Sequence, residues 1–127
     1  MARAWRRRYD PDDPVLKGVL DGIAHLPEAG HEETWGVMTL RVRRRLFGVY
    51  GGGLAGEGRW LIFKPVPSER AALAADPRIG VAPHFKLWLE LDLDAVADWS
   101  EVRELLTDSY ALAAPAELAA RAGGRPV

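Results

Sequence analysis

Met38-Thr39-Leu40-Arg41-Val42-Arg43-Arg44-Arg45-Leu46-Phe47-Gly48-Val49-Tyr50 decides how this chain is read. Met38, Leu40 and Val42 alternate with Thr39, Arg41 and Arg43, the period of two that turns successive side chains to opposite faces of a strand. One face is apolar and the other basic, so the stretch opens as a half-buried strand. Leu46–Tyr50 is a second apolar run directly after Arg44-Arg45, which predicts a hairpin. The turn holds neither Gly nor Asn. A two-residue turn of the primed type would put arginine at positive φ, at a cost on the order of 1 kcal/mol.

Downstream, Gly51-Gly52-Gly53 through Gly58 reads as a connection and Arg59–Lys64 as a third strand. Three strands joined by short loops are expected to be antiparallel. Pro65-Val66-Pro67-Ser68 then opens a short helix over Glu69–Ala75, stopped by Asp76-Pro77. Leu87, Leu89, Leu91 and Leu93 alternate with polar or larger residues as a fourth strand. Ser100 is expected to cap a last long helix with inward positions Val102, Leu105, Leu106, Ser109, Tyr110 and Ala113, and a further helical turn is expected around Pro115–Ala120. Upstream, Leu16, Val19, Leu20, Ile23 and Leu26 recur at three- and four-residue spacing. They predict an amphipathic helix over Val15–Leu26 with Asp13 as cap, Pro14 at its first position and Pro27 as stop. Gly18 and Gly22 each weaken that helix by about 1 kcal/mol relative to Ala, which implies close packing against another element.

The order α-β-β-β-α-β-α predicts an α+β two-layer sandwich, an antiparallel sheet with helices packed on one face. The domain is expected to occupy 14–121, after a flexible basic and acidic arm over 1–13 and before a tail over 122–127. A length of 127 residues fits that one domain, and 48% hydrophobic with 28% charged residues is the composition of a folded globular chain. With no cysteine there are no disulfides, thiolate metal sites or cysteine nucleophiles. The opening MARAWRRRYDPDDP has no apolar run of signal-peptide length, and no stretch approaches the roughly 18 apolar residues of a membrane helix. A cytoplasmic protein with no membrane partner is expected.

The net charge of −1 is unevenly spread. Residues 35–89 hold 9 Lys/Arg against 3 Asp/Glu, a net of +6, while 90–127 hold 3 against 8, a net of −5. Overall neutrality argues against indiscriminate nucleic-acid binding, so any such contact has to come from a local patch.

One resemblance is specific enough to name. Leu26-Pro27-Glu28-Ala29-Gly30-His31-Glu32-Glu33, then Thr34-Trp35-Gly36 running into Leu40-Arg41-Val42-Arg43, then Phe47, resemble the MmcQ/YjbR family. Gly80-Val81-Ala82-Pro83-His84, Trp88 in a strand, Leu105-Leu106 and Ser109-Tyr110 continue the likeness over about residues 15–120. The resemblance implies a small α+β fold similar to frataxin, and a DNA-binding label that the family carries largely from fold comparison. The chain departs from the pattern at two places. Arg44-Arg45 stands where the family usually has Gly-Lys at the hairpin tip. The loop His84-Phe85-Lys86-Leu87-Trp88 is shorter than the family's and lacks its Asn and second His.

The leading candidate site is a basic hairpin. Arg41 and Arg43 share a strand face, Arg44 and Arg45 sit at the tip, and Arg59, Lys64 and Lys86 extend the patch. Guanidinium groups so spaced can meet successive phosphates, and Trp35 beside them suits stacking on single strands. The reading is a non-enzymatic protein that contacts DNA through this hairpin. The alternative is a protein-interaction or small-ligand module with no nucleic-acid role, favoured if the arginines are dispersed and tryptophans such as Trp60, Trp88 and Trp99 share an exposed patch. A third reading is weak metal handling by Glu101, Glu104 and Asp108 on the last helix, with Asp92 and Asp94 on a strand face. Those acids are equally explained as a solvated helix face whose first turn suits the helix dipole. His25, His31 and His84 are scattered, and no nucleophile elbow, zinc-protease helix or phosphate loop is present, so no catalytic residue and no cofactor is expected.

Overall fold

Asp13 and Pro14 start the first helix, α1 (Pro14–Ile23), as their residue types dictate. The Asp13 side chain accepts a hydrogen bond from the Val15 amide at 2.9 Å, and Pro14 fills a first-turn position that has no amide partner to lose. The computed structural model describes residues 6–123. The outer parts of the expected arm and tail, 1–5 and 124–127, lie outside the described residues.

Among the described residues six strands follow α1 and form one sheet. They are β1 (Ala29–Thr34), β2 (Val37–Val42), β3 (Arg45–Gly52), β4 (Arg59–Phe63), β5 (Ile79–Val81) and β6 (Leu89–Asp92), in the spatial order β1-β2-β3-β4-β6-β5. Every neighbouring pair is antiparallel. A short helix α2 (Arg70–Ala74) precedes β5, and α3 (Ser100–Ala113) with α4 (Ala116–Arg121) closes the chain. The α+β sandwich expected from the pattern is the fold observed.

Two edge strands depart from the expected order. β1 reads AGHEET and is largely exposed, and β5 has only three residues. Neither carries the alternation by which a half-buried strand announces itself. The hairpin turn sits one residue earlier than expected, on Arg43 and Arg44, with φ of 46° and 69°. The cost foreseen for arginine at positive φ therefore applies, but Arg45 already belongs to β3. A bulge between Leu40 and Arg41 re-phases β2 against β3 and leaves Phe47 pointing into the helix-side core. Ser100 is the first residue of α3 and does not cap it. Asp98 does so from outside, accepting the Ser100 amide at 2.9 Å.

Residues 6–13, expected as part of a flexible arm, lie against the sheet. The Arg8 amide donates to the Gly36 carbonyl at 2.7 Å, and the Gly52 amide donates to the Arg8 carbonyl at 2.9 Å. Tyr9 between them is 3% exposed, and its hydroxyl meets Glu33 at 2.7 Å. The reason is an apolar aromatic ring inside a charged run, whose burial outweighs the ordering of a few residues.

α1 and α3 cover one face of the sheet. Leu40, Val42, Tyr50, Leu61, Phe63, Leu89 and Leu91 meet Val19, Ile23, Leu106 and Tyr110 there. The Phe47 and Tyr110 rings cross edge to face at 5.6 Å. The glycines of α1 do what their positions imply: a Cβ at Gly18 would come within 3.3 Å of the Trp99 ring, and one at Gly22 within 3.3 Å of Arg103. Ser109 fastens α3 to the sheet. It donates to the Phe47 carbonyl at 2.6 Å and accepts the Lys64 amide at 2.9 Å. The opposite face has its own small cluster of Val37, Val49, Ile62 and Ala82, with Leu46, Trp60, Phe85 and Trp88 packed on it. Among the described residues no helix contributes to that cluster.

Candidate binding site on the outer sheet face

Of the seven basic residues singled out above, Arg41, Arg43 and Arg59 are held by carboxylates. Arg43 grips Glu28 through two parallel hydrogen bonds at 3.0 and 2.9 Å and comes within 3.8 Å of Glu117. The Arg43 guanidinium holds the Glu28 carboxyl below the usual range. Arg41 pairs with Glu32 at 3.2 Å and lies 5.8 Å from the centroid of the Trp35 ring. Arg59 is held by Asp13 at 2.7 Å and Asp94 at 3.0 Å, where the cap of α1 meets the sheet. Its strand neighbours Leu61 and Phe63 belong to the helix-side core, and Arg59 itself borders the hollow beside β5. Arg45 reaches the Ala113 carbonyl at 3.5 Å. Arg44, Lys64 and Lys86 are exposed without an ion pair among the described residues.

Glu101 serves Arg78 at 2.8 Å, alongside Asp76, whose carboxyl the Arg78 hydrogen bonds pull down to about 2. Among the described residues no three His, Asp or Glu side chains gather as a cation would need.

The outer sheet face offers more. Strand alternation sends Trp60 and Ile62 of β4, and Glu90 of β6, to the side the helices leave bare. Val37, Val49 and Ile62 form an apolar floor, with Trp35, Trp60 and the loop Pro83–Phe85 around it, and this cavity has a volume of 320 Å³. A second hollow of 400 Å³ lies beside β5, and Trp60 and Glu90 line both. Together they make a trough across the sheet. Gly51 shapes it, because a Cβ there would run into the Trp60 indole. Phe85 and Trp88 stack at 5.5 Å, and the loop between them is pinned by the Trp88 amide on the Phe85 carbonyl at 3.0 Å.

Backbone strain gathers here as well. Trp35, His84 and Leu87 have φ of 56°, 67° and 71°, a region that L residues enter at a cost on the order of 1 kcal/mol each. Such residues concentrate where the surroundings hold side chains in a set arrangement, and often that place is functional.

Glu90 is the chemical centre of the trough. Its cross-strand neighbours are Ile62 on one side and Gly80 on the other, neither of which can pair with it. Burial pushes its carboxyl up. No hydrogen bond or ion pair engages that side chain among the described residues. Arg8 lines the Trp35 side of the smaller cavity.

A family model described as YjbR matches residues 24–112. The chain belongs to the YjbR family. The matched stretch takes in all six strands and nearly all of α3, and so most of the trough; the YjbR match leaves out α1 and the Arg8–Tyr9 segment. No curated protein matches the chain. No helix among the described residues is long and apolar enough to cross a membrane.

Sequence reasoning placed Trp35, Trp60 and Trp88 among the candidates and overlooked Glu90, Phe85 and the floor. A signal was available. Trp60-Leu61-Ile62-Phe63 is apolar at every position, the mark of a strand covered on both faces, whereas the helices account for only one.

Proposed function

We propose that this YjbR protein is a non-enzymatic, cytoplasmic binding module whose recognition surface is the aromatic trough on the outer sheet face. The single observation that carries the reading is the concave, tryptophan-walled cavity over Val37, Val49 and Ile62 on the side of the sheet that no helix covers. Pockets of this kind, mainly apolar with a few polar groups, are the usual form of a small-molecule site. The absence of helical cover and the strained backbone at Trp35, His84 and Leu87 support the same place. The two helices on one side of an antiparallel sheet also support a frataxin-like arrangement.

The test is intrinsic tryptophan fluorescence during titration with small aromatic and amine probes. Binding in the trough should change the emission of the wild type and leave that of a Trp35→Ala, Trp60→Leu variant nearly unchanged. An unchanged wild-type spectrum with every probe would remove the reading.

DNA contact through the hairpin is a second reading, favoured by the exposed, unpaired Arg44. It draws on Arg44, Arg45, Lys64 and Lys86, since Arg41, Arg43 and Arg59 already have carboxylate partners. Fluorescence anisotropy with short duplexes across a salt series tests it. Four phosphate contacts would give a log–log salt slope of about −3.6, and Arg44→Ala with Arg45→Ala should reduce it by about 1.8. No binding at low salt removes the hairpin reading.

A further inference from the structure

The acids of this molecule that lie near a cation are paired with it: Glu28 with Arg43, Glu32 with Arg41, Glu33 with Arg7, Asp13 and Asp94 with Arg59, Asp76 and Glu101 with Arg78. Glu90 differs. It is half-buried, it lines both hollows of the trough, and no side chain among the described residues neutralises it. Arg59 and Arg78 line the larger hollow, but their guanidinium groups are already taken up. Asp92, on the same face of β6, adds negative charge.

A carboxylate held in partial burial without a partner is unfavourable by itself, and a cation that enters the site relieves it. Tryptophan faces attract cations through their quadrupole, most strongly for groups that shed water easily. The trough sets Trp60 beside Glu90, with Trp35 on the wall of the same cavity. At 320 Å³ that cavity stands at the lower end of the range for small-molecule pockets, roughly 300–1,000 Å³. A phosphate-bearing ligand would meet repulsion from Glu90 and Asp92.

We propose that the trough takes a small free organic cation of the alkylammonium type, with Glu90 as its counter-charge and the tryptophan faces as its walls. This rests on the trough reading above and names the ligand class for it. Arg8, at the Trp35 side, favours a ligand whose far end is neutral or anionic.

The test uses choline and its uncharged carbon isostere, dimethylbutanol, with binding followed by tryptophan fluorescence and by indole N–H shifts in NMR. Choline should bind at least about tenfold more tightly than the isostere, and Glu90→Gln should remove most of that preference, leaving the part that the tryptophan faces supply. Trp35→Ala should weaken choline several-fold while circular dichroism shows the fold unchanged. Equal binding of the two probes, unaffected by Glu90→Gln, would overturn the cation assignment and leave the trough as a site for apolar ligands. Binding of indole but of neither probe would do the same. Failure of every probe would remove the trough reading with it. A short lysine-containing peptide that binds more tightly than choline would overturn the free-cation assignment in favour of a polypeptide partner.

Discussion

Ser109 and Glu90 show opposite ways in which a single polar side chain can sit in this fold. Ser109 is fully buried and satisfies backbone groups of two different strand segments, the Phe47 carbonyl and the Lys64 amide. Its loss would orphan both inside the core, so Ser109→Ala should cost about 2–3 kcal/mol in urea denaturation. A variant within a few tenths of wild type would show that the two groups find other partners. Glu90 is the reverse, a charge the folded state holds at a disadvantage. Burial raises its carboxyl above the ordinary glutamate value, so the charged form is less favourable folded than unfolded. That penalty is absent at low pH, where the group is neutral in both states, and sets in as the pH rises through the raised value. Glu90→Gln should therefore melt higher than wild type at neutral pH, and the two should converge below about pH 4. A constant difference across the range would assign the effect to packing instead. The pairing at Ser109 was within reach of sequence reasoning, which put this residue on the inward face of its helix. The isolation of Glu90 was not, because partners depend on the neighbouring strands, and β5 beside it was invisible.

At the level of elements, periodicity found the parts that bury a regular face and missed those that do not. α1, β2, β3, β4, α3 and the Asp13 cap were all legible, since each couples an apolar period to a recognised start or stop. β1 and β5 carry exposed or very short sequences, and their strand conformation comes from pairing with β2 and β6 alone. The β2–β3 turn was legible in kind and displaced by one residue, a shift that goes with the bulge at Leu40–Arg41. Arg44 at φ 69° is a local cost that glycine would remove. Arg44→Gly should raise stability by about 0.5–1 kcal/mol, read from the urea midpoint at unchanged m-value. A destabilised variant would mean that the arginine side chain makes up for its backbone.

For the molecule as a whole, the segment before α1 matters more than its charged sequence suggested. The Arg6–Arg8 run reads as solvated, yet Tyr9 carries it across the sheet from Gly36 to Gly52. Tyr9→Ala should cost about 2–4 kcal/mol in thermal or urea unfolding, as for a large aromatic lost from a core. A neutral result would return the segment to the status of an arm. Two arginines of the basic hairpin are engaged by acids that are remote in the linear charge count, Arg41 by Glu32 of β1 and Arg43 by Glu28 and by Glu117 of α4. Pairing of that sort depends on the full topology and has no signature in a linear charge count. The Tyr9 anchorage also bears on how the protein is made. Tyr9 leaves the ribosome well before Gly52 and the strands that will hold it, so during synthesis the ring waits, unburied, for a surface that does not yet exist. A chain arrested before β3 would present that ring to chaperones, and its concealment would mark the arrival of β3.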